Sequence, residues 1–278
     1  MMELIRLVLI TLLAMVCLYL LMIMPRMTGR PDTKPFFRWL YAHRGLHDNR
    51  SDAPENSMRA FRKAVGADFG IELDVQLSKD GVAVVFHDDT LKRICGVEGR
   101  VCERTFEELQ LLSLCGTDQK IPRFADVLEL VDGKVPLIVE LKTETMDVSV
   151  CEEADKLLSS YKGLYCIESF NPLALSWYRR NRKDVVRGQL SEPFYEESKS
   201  GEYPNPLFLL LENLLLNWRA KPDFIAYNHK YPNRLSRRLC RGLYRNTAAA
   251  WTIKSAEELA TAREHFDFFI FDSFLPVK

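Results

Sequence analysis

The sequence predicts a closed (β/α)8 TIM barrel with a β-hairpin extension and a small insertion after its second strand, preceded by one N-terminal transmembrane helix. Three observations carry this. Strand-like and helix-like segments alternate beyond residue 38, with eight strands once the hairpin's return limb is set aside. Several of those strands are apolar right through, as strands buried on both faces are. Polar and charged residues gather where the strands end, the position of active sites in such barrels. A doubly wound open sheet is the alternative, but no Gly-rich turn follows the first strand to support it.

At 278 residues the chain suits one barrel of this kind, and 47% hydrophobic with 27% charged residues describes a full core under an ordinary surface. Lys plus Arg and Asp plus Glu both number 38, so net charge gives no argument for a nucleic-acid partner. Leu7 to Met24 is an 18-residue run without a charge. As a helix it spans about 27 Å, near the thickness of a bilayer core. A cleaved signal peptide is the competing reading; its apolar run is usually shorter, and Met24-Pro25-Arg26 offers no small-residue cleavage site. Residues 1–24 are therefore expected as an anchor in the lipid bilayer, 25–37 as an extended linker, and 38–278 as the barrel domain. Six cysteines lie beyond the anchor at scattered spacings, without a Cys-x-x-Cys pair, which reads as reduced and mostly buried thiols.

Taken in order, strand Trp39–Ala42 leads into His43-Arg44-Gly45. Pro54-Glu55-Asn56-Ser57 opens a helix whose Met58, Phe61 and Val65 recur at helical spacing, with Asn56 as its expected cap. Ile71-Glu72-Leu73-Asp74-Val75 is the second strand. Asp80-Gly81 then marks a hairpin, and Val84-Val85-Phe86 returns antiparallel toward His87. Residues 89–122 hold short helical pieces and read as an insertion. Beyond them strands Pro136–Lys142, Leu164–Phe170, Val185–Leu190, Phe224–Tyr227, Ala248–Ile253 and Phe268–Asp272 alternate with helices.

Glu72 and Asp74 sit two residues apart on one strand and so face the same side. As plain core they would be a buried like-charged pair, which is costly; a cation between them removes the conflict. The folded-back hairpin brings His87 beside them.

Ala-His43-Arg-Gly, Pro54-Glu-Asn-Ser, Glu72-Leu-Asp-Val, Lys79-Asp-Gly, Val85-Phe-His87-Asp, Glu140-Leu-Lys142, Glu168-Ser-Phe and Trp251-Thr appear together in this order. Residues 41–275 thereby resemble the glycerophosphodiester phosphodiesterase family. The resemblance implies a TIM-barrel hydrolase that converts glycerophosphodiesters to glycerol 3-phosphate and an alcohol, with one divalent cation. The last strand departs from the family pattern: Ile270-Phe-Asp272-Ser-Phe keeps an aspartate without the proline that often follows.

On that footing Glu72, Asp74 and Glu140 are hard oxygen ligands for Mg²⁺ or Ca²⁺; a salt-bridge network with Arg44 and Lys142 is the bland alternative. His43 and His87 can divide the work of base and acid. Arg44 and Lys142 would neutralise charge on the phosphoryl oxygens. His47, His229 and His265 are read as structural, Glu55 as a lining residue, and the apolar run 207–218 as packing on the barrel. Two other functions compete with glycerophosphodiester hydrolysis. One is a phospholipase D-like activity on lysophospholipids, favoured by the anchor; the other is a catalytically inactive membrane scaffold. Before the apolar run stands Arg6 with Glu3; after it come Arg26, Arg30, Lys34 and Arg38, a bias that predicts a cytoplasmic barrel.

Overall fold

The computed structural model describes residues 1–143, 146–197 and 206–277. After helix α1 (Met2–Ile23) come β1 (Leu40–His43), α2 (Met58–Gly66), β2 (Gly70–Leu77) and the hairpin limb β3 (Ala83–Val85). The insertion holds α3 (Lys92–Cys95) and α4 (Phe106–Gln110), and α5 (Phe124–Val131) leads back to the barrel. Then follow β4 (Leu137–Leu141), α6 (Ser149–Leu158), β5 (Tyr165–Ser169), α7 (Pro172–Asn181) and β6 (Arg187–Ser191). The excursion after β6 carries α8 (Phe194–Glu197), α9 (Leu207–Glu212) and α10 (Asn217–Ala220). The chain closes with β7 (Phe224–Asn228), α11 (Leu235–Gly242), β8 (Thr247–Ile253), α12 (Ala256–Ala262) and β9 (Phe268–Phe271).

β1 pairs in parallel with both β2 and β9, so the eight parallel strands close on themselves as expected. β3 lies antiparallel on β2, with Val75 opposite Val85 and Leu77 opposite Ala83. This two-strand extension roots the insertion, which builds its own core from Val84, Phe86, Leu91, Ile94, Val101, Leu109, Leu114 and Ile121. The observed elements start or stop within a few residues of the expected ones.

Two apolar layers hold the barrel. Between sheet and helices pack residues such as Ile71, Leu73, Val139, Ile167, Leu175 and Phe271, all buried. Inside the barrel, Tyr41, Ile138, Cys166, Phe224, Ala249, Phe268 and Ile270 fill the end where the strands begin. Gly188 makes that filling feasible: a Cβ there would meet the Phe224 ring at 2.1 Å. Phe36 closes this end from below, 6.4 Å from the Phe268 ring centroid. With the lower interior packed by rings, only the opposite end can hold polar chemistry.

Helix α1 is 22 residues, long and apolar enough to cross a membrane. Near its end Ile23 is fully buried and Tyr19 and Leu20 pack on the core. Residues 25–37, expected as an extended linker, instead dock along the base of the barrel. Arg26 N–H donates to Pro222 O, the Arg30 guanidinium donates to the Tyr244 and Arg245 carbonyls, and Thr33 and Thr247 hydroxyls meet at 2.9 Å. The run 207–218 packs only in part. Leu214 and Asn217 are buried, while Leu207, Phe208, Leu209 and Trp218 face outward. The cysteines are all free; Cys151, Cys166 and Cys240 are buried, Cys95 and Cys115 are half-buried, and Cys102 is exposed.

Candidate active site

The strand register sets the site. Asp74 on β2 lies beside Glu140 on β4, and Glu140 beside Glu168 on β5. Glu72 lies beside His43 on β1. The alternation that sends Ile71, Leu73 and Val75 outward to the helices therefore sends Glu72 and Asp74 into the barrel, just above its aromatic filling.

Glu72, Asp74 and Glu140 each offer a carboxylate oxygen within 4.8 Å of the other two, and all three are buried. Burial pushes Glu72 well above the usual carboxylate range, and Asp74, Glu140 and Glu168 add to it. Burial also raises Glu140, even against the Lys142 ammonium, with Asp74 contributing. Asp74 goes the other way: despite burial, Lys142, His87 and Arg44 hold its carboxyl well below the usual range. Lys142 Nζ lies 2.7 Å from Glu140 and 3.0 Å from Asp74, and these two carboxylates raise its pKa against the effect of burial. The Lys142 ammonium and the Arg44 guanidinium, whose Nε is 3.6 Å from Asp74, face three carboxylates, which leaves the cluster short of positive charge. Asp74 Oδ1 has the Lys142 ammonium as its ion-pair partner at 3.0 Å and accepts no hydrogen bond from another group. Hard, anionic, crowded oxygen donors of this kind fit a divalent cation.

Glu168 was not singled out in the sequence beyond its motif. It is buried, its Oε2 has no hydrogen-bond partner, and burial pushes it up, reinforced by Glu140 and Asp74. Its position in phase with Glu140 on the next strand was the available signal.

His43 ends β1. Its Nδ1 lies 3.2 Å from Asp272 Oδ2 and its Nε2 3.9 Å from Glu72 Oε2. Burial, then the adjacent Arg44 cation, push His43 down to about 4. His47, read as structural from the sequence, belongs here: its Nε2 is 3.3 Å from Asp272 Oδ1. The hydrogen bond with His43 and the close approach of His47 hold Asp272 far below its usual value against the effect of burial. The aspartate that the sequence retains without its proline thus anchors both imidazoles.

His87 stands in the loop directly after β3 rather than on a strand. Its Nδ1 meets Asp88 Oδ1 at 2.6 Å. The Phe86 N–H donates to Asp74 O, which fixes this loop against β2. His43 lines a cleft of about 1140 Å³ with Arg44, Glu55, Trp251 and Asp272. His87 lines a second, of about 640 Å³, with Glu140, Lys142 and Phe170.

Arg44 and Asn56 both have φ of +55°, the left-handed region, at the rim of the site. Gly45 follows Arg44 at φ +81°, where a Cβ would press on Ala60 and Phe61 at 3.0 Å. The His-Arg-Gly turn is thereby explained. Asn56 is not the helix cap that its place in the sequence suggests. Ser57 Oγ accepts from Ala60 N–H at 3.1 Å and caps α2, which frees Asn56 Nδ2 to donate to Asp74 Oδ2 at 2.8 Å. Glu55 is a hub: it takes Arg44 at 2.7 Å, Arg93 from the insertion at 2.7 Å, and Asn49 at 2.7 Å. Against burial, Arg93, Arg44 and Asn49 hold it down to about 2. Arg93 carried no motif, and only the fold connects it to the site.

The model of the family described as "Glycerophosphoryl diester phosphodiesterase family" matches residues 43–265. A glycerophosphodiester phosphodiesterase 1 of Bos taurus is 26% identical over 272 residues, covering 84% of this chain and 77% of that one. A glycerophosphodiester phosphodiesterase of Caldanaerobacter subterraneus is 39% identical over 149 residues, 48% of this chain and 58% of the relative, so the match spans little more than half of that protein. Among solved structures, an Oleispira antarctica phosphodiesterase in complex with the product sn-glycerol-3-phosphate superposes with a TM-score of 0.66 at 22% identity. That superposition covers 84% of this chain and 92% of the other, and shows a shared fold.

Proposed function

The chain belongs to the glycerophosphoryl diester phosphodiesterase family and is a phosphodiesterase, and from that premise we propose that it hydrolyses glycerophosphodiesters to glycerol 3-phosphate and an alcohol with a divalent cation and two histidines. The observation that carries this reading is the trio of buried carboxylates with a histidine to either side.

Glu72, Asp74 and Glu140 would hold the cation, Mg²⁺ or Ca²⁺. When bound, it supplies Lewis-acid stabilisation of charge on phosphate oxygens. His43, kept neutral by burial and turned by its Nδ1–H toward Asp272, presents Nε2 as the acceptor that takes a proton from the attacking hydroxyl or water as its oxygen bonds to phosphorus. As the bond from phosphorus to the leaving oxygen breaks, His87 gives that oxygen a proton, with Asp88 orienting its ring. Arg44 and Lys142 place fixed positive charge at the rim, and Glu55 aims the Arg44 guanidinium. Asn56 keeps Asp74 in its ligand orientation.

The apolar α1 supports a second reading, cleavage of lysophospholipids. Against it, the linker and the end of α1 dock where the strands begin, whereas the clefts open where they end. The mouth therefore looks away from the point where the chain leaves the bilayer, which favours water-soluble diesters. The excess of basic residues after α1 supports a cytoplasmic barrel.

The test is product identification with the full-length protein on glycerophosphocholine, glycerophosphoethanolamine, glycerophosphoglycerol and lysophosphatidylcholine. Release of glycerol 3-phosphate from the first three is expected. Release of phosphocholine instead, or turnover of the lysolipid alone, would overturn the assignment.

A further inference from the structure

Away from the catalytic mouth, a cleft of about 660 Å³ lies between α7 and α10, lined by Ser176, Arg179, Arg180, Lys183, Trp218 and Arg219. Among the described residues none of its four cations pairs with a carboxylate. Arg179 donates instead to the carbonyls of Arg219 at 2.7 Å and Trp218 at 3.3 Å, which ties α7 to α10 and leaves the positive charge uncompensated. Further cations stand close by. Burial lowers both Arg187 and Lys221 and Arg179 lowers each further, while Asp223 pairs with Arg187 at 3.8 Å and with Arg26 at 3.4 Å. Four exposed basic side chains grouped around one concavity without counter-charge are an electrostatic invitation to an anion.

The position of the cleft says which anion. Helix α1 ends against the same two-helix corner: Asn217 Nδ2 donates to Ile23 O at 3.0 Å and Lys221 Nζ to Met24 O at 3.1 Å. Arg26, two residues beyond, donates to the carbonyl of Lys183, itself a lining residue, at 2.9 Å. The cleft therefore lies at the level where an 18-residue uncharged run gives way to charge, which in a bilayer is the headgroup layer. Trp218, half exposed beside the cations, has the amphipathic ring that favours that layer.

We propose that this cleft binds the phosphate headgroup of an anionic phospholipid in the leaflet where α1 ends. The bound lipid would clamp the base of the barrel to the membrane and hold the catalytic mouth toward the water. The proposal rests on α1 spanning the bilayer, and its readout below is lipid retention rather than turnover, so it fails independently of the assigned hydrolysis.

The experiment presents full-length protein in detergent with dioctanoyl phosphatidylglycerol or dioctanoyl phosphatidylcholine and counts retained lipid per chain by native mass spectrometry. A basic residue near an anionic surface contributes about fivefold in affinity, so the expected preference for the anionic lipid is at least about tenfold. Arg179→Ala with Arg219→Ala should abolish that preference with kcat on glycerophosphocholine unchanged. Should the double variant not fold, Arg180→Glu, at an exposed side chain, should reduce retention by itself. Equal retention of both lipids, or a folded variant that keeps the anionic lipid, would overturn the proposal. Complete displacement by millimolar inorganic phosphate would reassign the cleft to a free anion and overturn it as well.

Discussion

Replacing Glu72 by glutamine separates a ligand role from a structural one, because the two roles predict opposite changes in stability. Glutamine keeps the shape and the oxygen that accepts from the Arg44 N–H at 3.1 Å. What it removes is one charge from a trio whose oxygens lie within 4.8 Å. At an effective dielectric near 20, each such pair repels by about 3–4 kcal/mol. Lys142 offsets Asp74 and Glu140 at 3.0 and 2.7 Å, whereas no side-chain cation sits as close to Glu72. After that compensation the relief in the metal-free protein should be about 1–2 kcal/mol, or roughly 2–8 °C in Tm for a domain of this size. With a divalent cation at 100 times Kd the wild type should gain about 2.7 kcal/mol, a gain the variant should lose along with turnover. The pH dependence follows from the raised pKa of Glu72. Its contribution is fully present below the unfolded value of about 4.3 and disappears as pH rises through the elevated folded value. In EDTA the wild-type Tm should therefore fall as pH rises above that unfolded value, and that part of the fall should be missing from Glu72→Gln. Thermal unfolding of the full-length protein, with and without EDTA as pH is raised, measures all of this. A variant less stable than wild type in EDTA, with its metal-induced shift intact, would refute the ligand role.

Further outcomes are expected. His43→Ala and His87→Ala should each lower kcat by at least about 10²-fold with the fold retained; near-wild-type turnover in either would remove that histidine from the mechanism. His87→Ala should recover part of its loss on a nitrophenyl diester, whose leaving group needs no proton, whereas His43→Ala should not. Gly188→Ala should destabilise the barrel by about 1–3 kcal/mol, because its methyl would overlap the Phe224 ring; denaturant unfolding with an unchanged midpoint would contradict the packing described. For sidedness, Cys102 is exposed in the insertion, so a membrane-impermeant maleimide should label it only after cell lysis. Labelling of intact cells would place the barrel outside.

The fold was legible because its signals were local and repeated: eight strands with their helices, apolar right through or alternating, each need only a few residues to declare themselves. The carboxylate trio was legible for the same reason, since Glu72 and Asp74 are in phase on one strand and Glu140 stands at the end of the next parallel one. What escaped was set by tertiary contacts. Asn56 sits where a cap would, yet Ser57 takes that bond and the αL turn swings Asn56 onto Asp74. His47 joins the site only because Asp272, 225 positions later in the chain, reaches both it and His43. Arg93 meets Glu55 across a loop with no motif of its own. The linker's composition read as extended, but its arginines find backbone carbonyls at the barrel base that no sequence pattern announces.

The most direct test of the central claim is glycerol 3-phosphate release from glycerophosphocholine by the full-length protein, followed through exhaustive chelation and then re-addition of Mg²⁺ or Ca²⁺. Three buried carboxylates against the Lys142 and Arg44 cations predict that turnover disappears when metal content, verified by elemental analysis, reaches zero, and returns with one equivalent of divalent cation. Undiminished turnover in the metal-free protein would contradict the claim.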